Sequence, residues 1–176
     1  MTKKYLIIGD PINHSLSPKI HNYWFKQNSI NADYAKKKPS NEELIKIIEQ
    51  IRNNELSGIN ITIPFKQRII PFLDKLSDLA NKTQSVNTVY KKDDTIIGDN
   101  TDIFGFENSL REKNFNLKNK SAFIFGAGGV VPSIIFGLQN LGFKKIFVTN
   151  RTHEKLEKLK KQFPLIQISD WGEFKE

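Results

Sequence analysis

The sequence predicts an α/β protein in two parts, and two observations carry that prediction. Through roughly residue 100, short apolar runs alternate with stretches of helical spacing, the pattern of an α/β domain. Beyond that, an apolar run at residues 122–125 leads directly into Gly126-Ala127-Gly128-Gly129 and a helical stretch ending near Leu141. The order strand, glycine turn, helix, strand, helix, strand is one βαβαβ mononucleotide-binding unit, half of a full dinucleotide fold.

Each element has its own signal. Tyr5-Leu6-Ile7-Ile8-Gly9 reads as a buried strand that ends in the turn-rich residues 10–13. Ser17-Pro18 predicts an N-cap followed by proline at the first helical position, with the helix running to about Ser29. Ser40 and Glu43 form a capping box ahead of Leu44, Ile47, Ile48 and Ile51 at helical spacing. NITIPFK, residues 60–66, reads as an alternating strand. Ile61, Ile63 and Phe65 then face the core, and Asn60, Thr62, Pro64 and Lys66 face the other way. Residues 67–83 look helical but broken by Pro71, and two strands near Thr88-Val89-Tyr90 and Ile96-Ile97-Gly98 join through Asp93-Asp94 as a hairpin. Gly142 stops the helix of the second part; a strand at 145–149, a charged helix at 154–162 and a third apolar run at 165–168 follow. The expected division is a first domain at 1–102, a connecting helix and loop at 103–119, and a nucleotide-binding part at 120–176.

The bulk properties narrow the chemistry. With 176 residues the chain can bury a real core. It has no cysteine, which excludes a disulfide scaffold, a cysteine-based zinc site and a thiol nucleophile; no metal is expected. A starting Met, no apolar leader and no long uncharged apolar run read as a soluble, cytoplasmic protein without a membrane partner. The net charge of +8 comes mostly from lysines spread along the chain. Runs such as Lys36-Lys37-Lys38 read as solvated surface rather than a nucleic-acid site, although a basic surface also suits small anionic ligands.

Three constellations bear chemistry. A strand feeding Gly126-x-Gly128 at a helix start lets backbone N–H groups and the helix dipole approach a pyrophosphate; the third glycine of the usual fingerprint is replaced by Val131. At the end of the next strand, where an NAD enzyme places an acidic residue for the ribose hydroxyl, stand Asn150-Arg151-Thr152, with Lys155 close behind. Arg151 can grip a 2′-phosphate with a fork of charge-assisted hydrogen bonds, and Asn150 and Thr152 can donate beside it, so the cofactor expected is NADP. The plainer alternative makes Thr152 a helix cap and Arg151 a surface charge. Ser15 and Ser17, two apart, can present both hydroxyls to one carboxylate; Ser17 has a structural role as an N-cap and Ser15 has none visible. Gly98-Asp99-Asn100-Thr101-Asp102 and Ser85-Val86-Asn87-Thr88, taken alone, read as caps and turns.

Together these pieces resemble the shikimate dehydrogenase family. The likeness runs through Ser15-Leu16-Ser17-Pro18, NITIPFK, Val86-Asn87-Thr88, Gly98-Asp99-Asn100-Thr101-Asp102, Gly126-Ala127-Gly128-Gly129 and Asn150-Arg151-Thr152, in that order. The resemblance implies an α/β substrate-binding domain followed by the first βαβαβ half of a Rossmann dinucleotide-binding domain. It implies interconversion of 3-dehydroshikimate and shikimate with NADPH, in aromatic amino-acid biosynthesis. Ser15 and Ser17 would hold the substrate carboxylate, and Asn60, Thr62, Lys66, Asn87 and Asp102 would line the hydroxyl and carbonyl side. Lys66 would be the catalytic acid/base group and Asp102 its partner. The turn of Gly126, Ala127, Gly128, Gly129 and Val130 would take the diphosphate, and Asn150, Arg151, Thr152 and Lys155 the adenosine 2′-phosphate; Asp78 matches a position near the cofactor. Such chemistry suits these residue types, since ketone reduction needs a proton delivered to a developing alkoxide.

Two departures stand out. Val130-Val131-Pro132-Ser133 follows the glycine turn where the family commonly has alanine. The family also continues for about another domain half, with the nicotinamide-side contacts and a returning helical segment that brings a further substrate-binding Gln. The chain therefore reads as truncated, with little or no activity of its own, and a homodimer is expected at full length. A quinate dehydrogenase and a non-catalytic shikimate-binding relative are the alternatives.

Overall fold

The computed structural model describes residues 2–113, 117 and 119–172, so part of the expected loop, 114–116 and 118, and the last four residues lie outside it. The chain divides into two compact units, Met1–Asn100 and Thr101–Glu176.

The first unit is built on a six-stranded mixed sheet. Its elements run β1 (Lys3–Ile8), α1 (Ser17–Gln27), β2 (Ala32–Lys37), α2 (Glu43–Arg52), β3 (Gly58–Ile61), α3 (Phe65–Arg68), a short 3-10 turn (Ile70–Phe72), β4 (Lys75–Leu76), α4 (Asp78–Thr83), β5 (Thr88–Lys92) and β6 (Thr95–Asp99). The strand order is β2-β1-β3-β5-β6-β4. β1 runs parallel to both β2 and β3, while β5 is antiparallel to β3 and β6. Helix α2 buries Leu44, Ile47, Ile48 and Ile51 against this sheet, each contributing about 1.5–3 kcal/mol relative to exposure. Half of the expected capping box forms: the Ser40 N–H donates to Glu43 Oε2 at 2.8 Å, while the Ser40 hydroxyl turns to Glu42 Oε2 at 2.6 Å. The hairpin between β5 and β6 turns on Asp93, whose φ of 55° is left-handed.

Two expectations are corrected here. NITIPFK is not one strand. β3 ends at Ile61, because Pro64 has no N–H to extend a ladder, and Phe65-Lys66-Gln67-Arg68 forms a one-turn helix. Ile61 and Phe65 are buried as expected, but Ile63 is 56% exposed, since its side chain sits on the loop between strand and helix. The stretch 67–83 is not simply a broken helix either: β4 intervenes, pairing Lys75 with Ile97 and Leu76 with Gly98.

The second unit holds α5 (Asp102–Arg111), β7 (Ser121–Phe125), α6 (Val131–Asn140), β8 (Lys145–Asn150), α7 (His153–Gln162) and β9 (Gln167–Asp170). β7, β8 and β9 are parallel in that order, which is the βαβαβ arrangement predicted. Ile135, Leu138, Val148, Leu156 and Ile166 form its core. Helix α5, read from the sequence as a connector, packs Phe106 and Leu110 on this core. Gly142, with φ +79°, ends α6 as expected. The sheet's other face is open: Phe123 and Phe125 are 54% and 66% exposed, with Phe123 stacked on Phe147 at 4.6 Å.

Candidate active site

In the first unit the substrate-side candidates gather at the carboxyl ends of the parallel strands β1 and β3, where open α/β sheets place ligands. Ser15 and Ser17 lie on the segment after β1; Asn60 is on β3, Thr62 and Lys66 follow it, and Asn87 immediately precedes β5. The two segments are stitched together by Asp10 N–H donating to the Ile63 carbonyl at 2.8 Å and Thr62 N–H to the Ile8 carbonyl at 2.9 Å. Gly9 makes this approach feasible, since a Cβ there would meet Thr62 Cγ2 at 2.5 Å.

The serines exchange their expected structural roles. Helix α1 begins at Ser17 itself, with Leu16 at the cap position and no side-chain cap. Ser15 Oγ instead accepts from the Ser17 N–H at 3.3 Å. Ser17 is thus not the N-cap, because the backbone turns helical one residue earlier than the proline rule implies.

Asn60 sits at the centre of a polar network that the sequence did not disclose. Its Oδ1 accepts from the Tyr34 hydroxyl at 2.7 Å, and its Nδ2 donates to the Asn87 carbonyl at 3.3 Å and to Thr88 Oγ1 at 3.1 Å. Thr88 in turn donates to Asn87 Oδ1 at 3.0 Å. Tyr34 is 4% exposed, and burial pushes its phenol well above the ordinary value. His21 stacks on that ring at 4.3 Å, and burial lowers its imidazole. The only signal for Tyr34 was a lone aromatic in the polar segment ADYAKK. Asn100, read from the sequence with its neighbours as cap and turn, is buried and donates to Thr83 Oγ1 at 3.2 Å and the Ser85 carbonyl at 2.8 Å, fixing the exit of β6. Lys66 stands in the single turn of α3, and its carbonyl accepts from the Val86 N–H at 2.9 Å.

Two further candidates stand on other elements. Asp78 is exposed at the start of α4, a helix capped by Ser77, whose hydroxyl also donates to Asp99 Oδ1 at 2.5 Å. Asp102 is the first residue of α5 and belongs to the second unit.

The second unit brings the glycine turn and the β8–α7 loop together. Gly126 has φ +114°, a conformation open to glycine, and its N–H donates to the Thr149 carbonyl at 2.7 Å. A Cβ at Gly128 or Gly129 would meet nothing within 4 Å, so packing does not demand glycine at either position. Val131 is buried, and Pro132 is accepted in the first turn of α6. Asn150 bridges the two loops: its Oδ1 accepts from the Ala127 N–H at 3.2 Å, and its Nδ2 donates to the Thr152 carbonyl at 3.0 Å. It therefore braces the site, and the Ala127 N–H is already engaged. Thr152 occupies the cap position of α7 without a side-chain bond to the helix. Arg151 and Lys155 are exposed and carry no ion pair among the described residues. Among the described residues, no three His, Asp or Glu side chains are grouped to hold a metal, and no helix is long and apolar enough to cross a membrane.

A mixed-sheet domain with polar side chains at its strand ends, followed by a mononucleotide-binding unit, defines a two-domain, nucleotide-binding α/β class. Residues 7–89 match the shikimate dehydrogenase substrate binding domain, and residues 109–173 match shikimate / quinate 5-dehydrogenase. The chain belongs to the shikimate dehydrogenase family. It is 55% identical over 173 residues to the shikimate dehydrogenase (NADP(+)) of Pelagibacter ubique, which covers 98% of this chain and 65% of the relative. The shikimate dehydrogenase of Aquifex aeolicus superposes with a TM-score of 0.88 at 39% identity, over 96% of this chain and 62% of that one. The Thermus thermophilus enzyme in complex with NADP(H) and shikimate gives 0.84 at 28% identity, over 96% and 63%. The chain thus spans about two thirds or less of the length of these relatives.

Proposed function

We propose that the chain supplies the substrate domain and the first half of the cofactor domain of an NADP-dependent shikimate dehydrogenase. The observation that carries this reading is the convergence of Ser15, Ser17, Asn60, Thr62, Lys66 and Asn87 at the strand ends of the first unit. The two serine hydroxyls bind the ring carboxylate; Asn60, Thr62 and Asn87 meet the ring hydroxyls. Lys66 delivers the proton to the carbonyl oxygen as it becomes an alkoxide, and Asp102 is the carboxylate partner that the family resemblance assigns to it. Gly126–Val130 would hold the cofactor diphosphate, with open space over Gly128 and Gly129 to receive it; Arg151, Thr152 and Lys155 would hold the 2′-phosphate, braced by Asn150, and Asp78 is the residue that the family resemblance assigns to a position near the cofactor. NADPH, when bound, supplies the hydride. The same reading makes the protein cytoplasmic, homodimeric at full length and without a nucleic-acid partner.

Binding is the first test. Titration calorimetry of the 176-residue chain with shikimate gives saturable binding that Ser15→Ala and Ser17→Ala each weaken; absence of saturable binding refutes the substrate assignment. Turnover is tested in a chimera completed with the remaining length of the Pelagibacter relative. There Lys66→Ala lowers kcat by about 10²–10⁴-fold with little change in KM; an unchanged kcat removes Lys66 from the chemistry. Quinate is the second reading, favoured by the description of the matched second domain, and parallel titrations with quinate and shikimate decide between them.

A further inference from the structure

The loop from Asn150 to Lys155 has an anionic neighbour. Asp170 ends β9 and is the register partner of Asn150 on β8, so its backbone lies one strand spacing, about 4.8 Å, from the loop. A carboxylate there opposes any phosphate bound beside Arg151, and it is a ready competitor for the Arg151 guanidinium. The structure shows neither arrangement. Asp170 Oδ1 is taken instead by His153 Nδ1 at 2.7 Å. His153 Nε2 lies 3.4 Å from Glu157 Oε1, one turn along α7. Asp170 from β9 and Glu157 from α7 are the charged groups in contact with His153 among the described residues, and with the imidazole between them Arg151 and Lys155 keep their charge for a ligand.

We propose that His153 is a specificity-determining positioning residue: by holding the Asp170 carboxylate it lets the Arg151 loop accept a 2′-phosphorylated adenosine. The proposal rests on the reading of residues 150–155 as the 2′-phosphate side. His153 does not itself touch the phosphate; it acts through Asp170. Asp170 and Glu157 favour the protonated imidazole, so the masking fades as pH rises through the His153 titration.

The test uses the 176-residue chain with two probes, adenosine 2′,5′-bisphosphate and 5′-AMP, whose affinities are compared by calorimetry. His153→Ala lowers the preference for the bisphosphate by about three- to fivefold, the scale of an exposed charge contact, and leaves 5′-AMP binding unchanged. Asp170→Asn alone keeps the preference within about twofold of the parent. The double variant restores what His153→Ala lost, which a merely structural role for His153 would not allow. Ionisation of the 2′-phosphate raises the preference of both proteins as pH rises, but the parent's advantage over His153→Ala shrinks over the same range as the masking fades. Equal loss for both probes, or no rescue by Asp170→Asn, overturns the proposal while leaving the 2′-phosphate reading standing. A parent chain that shows no preference for the bisphosphate overturns both.

Discussion

A single hydroxyl sets the orientation of the side chain at the centre of the first unit's polar network. Asn60 Oδ1 accepts from Tyr34, and that bond dictates which end of the amide reaches Thr88 and the Asn87 carbonyl. The edge strand that carries Tyr34 is held by Asn22 of α1, which accepts from the Tyr34 N–H at 2.9 Å and donates to its carbonyl at 2.8 Å. Tyr34→Phe keeps the ring and its stacking on His21 but leaves Asn60 Oδ1 without its donor. The expected cost is about 1–2 kcal/mol, read from urea denaturation, together with weaker shikimate binding because the Asn60 amide is freed to turn. Unaltered binding would show that Asn60 is oriented by the Asn87 carbonyl and Thr88 alone. At this scale the sequence disclosed residue types better than roles. Ser15 and Ser17 were legible as a pair, but that neither side chain caps α1 depends on the backbone angles of Leu16, and these leave no trace in composition. Asn150 was legible as polar and near the phosphates. That both ends of its amide are spent on Ala127 and Thr152 depends on the approach of two loops 23 residues apart.

At the scale of elements, legibility followed the punctuation. β7, α6, β8 and α7 were visible because glycines and apolar runs bound them, and the β5–β6 hairpin because Asp93-Asp94 marks its turn. NITIPFK was half legible: alternation of period two identifies Ile61 as core, yet it cannot tell where a strand gives way to a helical turn in which Phe65 is buried by a different geometry. Two-residue β4 is too short for any period to declare it. The junction that misled the reading is also the one that positions Thr62 and Lys66, and Gly9 is its keystone. Gly9→Ala puts a methyl 2.5 Å from Thr62 Cγ2, 3.0 Å from Ile12 Cδ1 and 3.2 Å from the Ile63 carbonyl. Overpacking of that kind costs about 1–3 kcal/mol, only partly offset by the roughly 0.4–1 kcal/mol that alanine gains through the unfolded chain. The variant is therefore less stable, and its shikimate affinity falls because the backbone after β3 must shift. Loss of stability without loss of affinity would mean that Ile12, not the β3–α3 junction, yields to the methyl.

At the scale of the whole molecule, a surface carboxylate in the first unit and a surface histidine in the second act on the pH–stability curve with opposite sense. In the first unit, Arg52 grips Asp74 through two hydrogen bonds of 3.0 and 2.9 Å, and the Ile96 N–H donates to the same carboxylate at 2.8 Å. Arg52 first and that N–H second hold Asp74 below its ordinary value of 3.8. A carboxylate depressed in the folded state contributes stability that is fully present above its ordinary value and lost as pH falls through the folded one. In the second unit the hydrogen bond to Asp170, with its charge and then that of Glu157, raises His153 above 6.5. That contribution has the opposite sense: it is full below 6.5 and disappears as pH rises through the raised folded value. Both groups lie at the surface, so each effect is modest and screened by salt. Hydrogen exchange followed by unit across pH separates them. Asp74→Asn flattens the acid limb for residues 1–100 and leaves residues 101–172 unchanged, and His153→Ala flattens the neutral-to-alkaline limb for the second unit alone. A variant that alters the limb of the other unit would show that protonation in one unit is felt by both, and the assignment of one limb to each would fall.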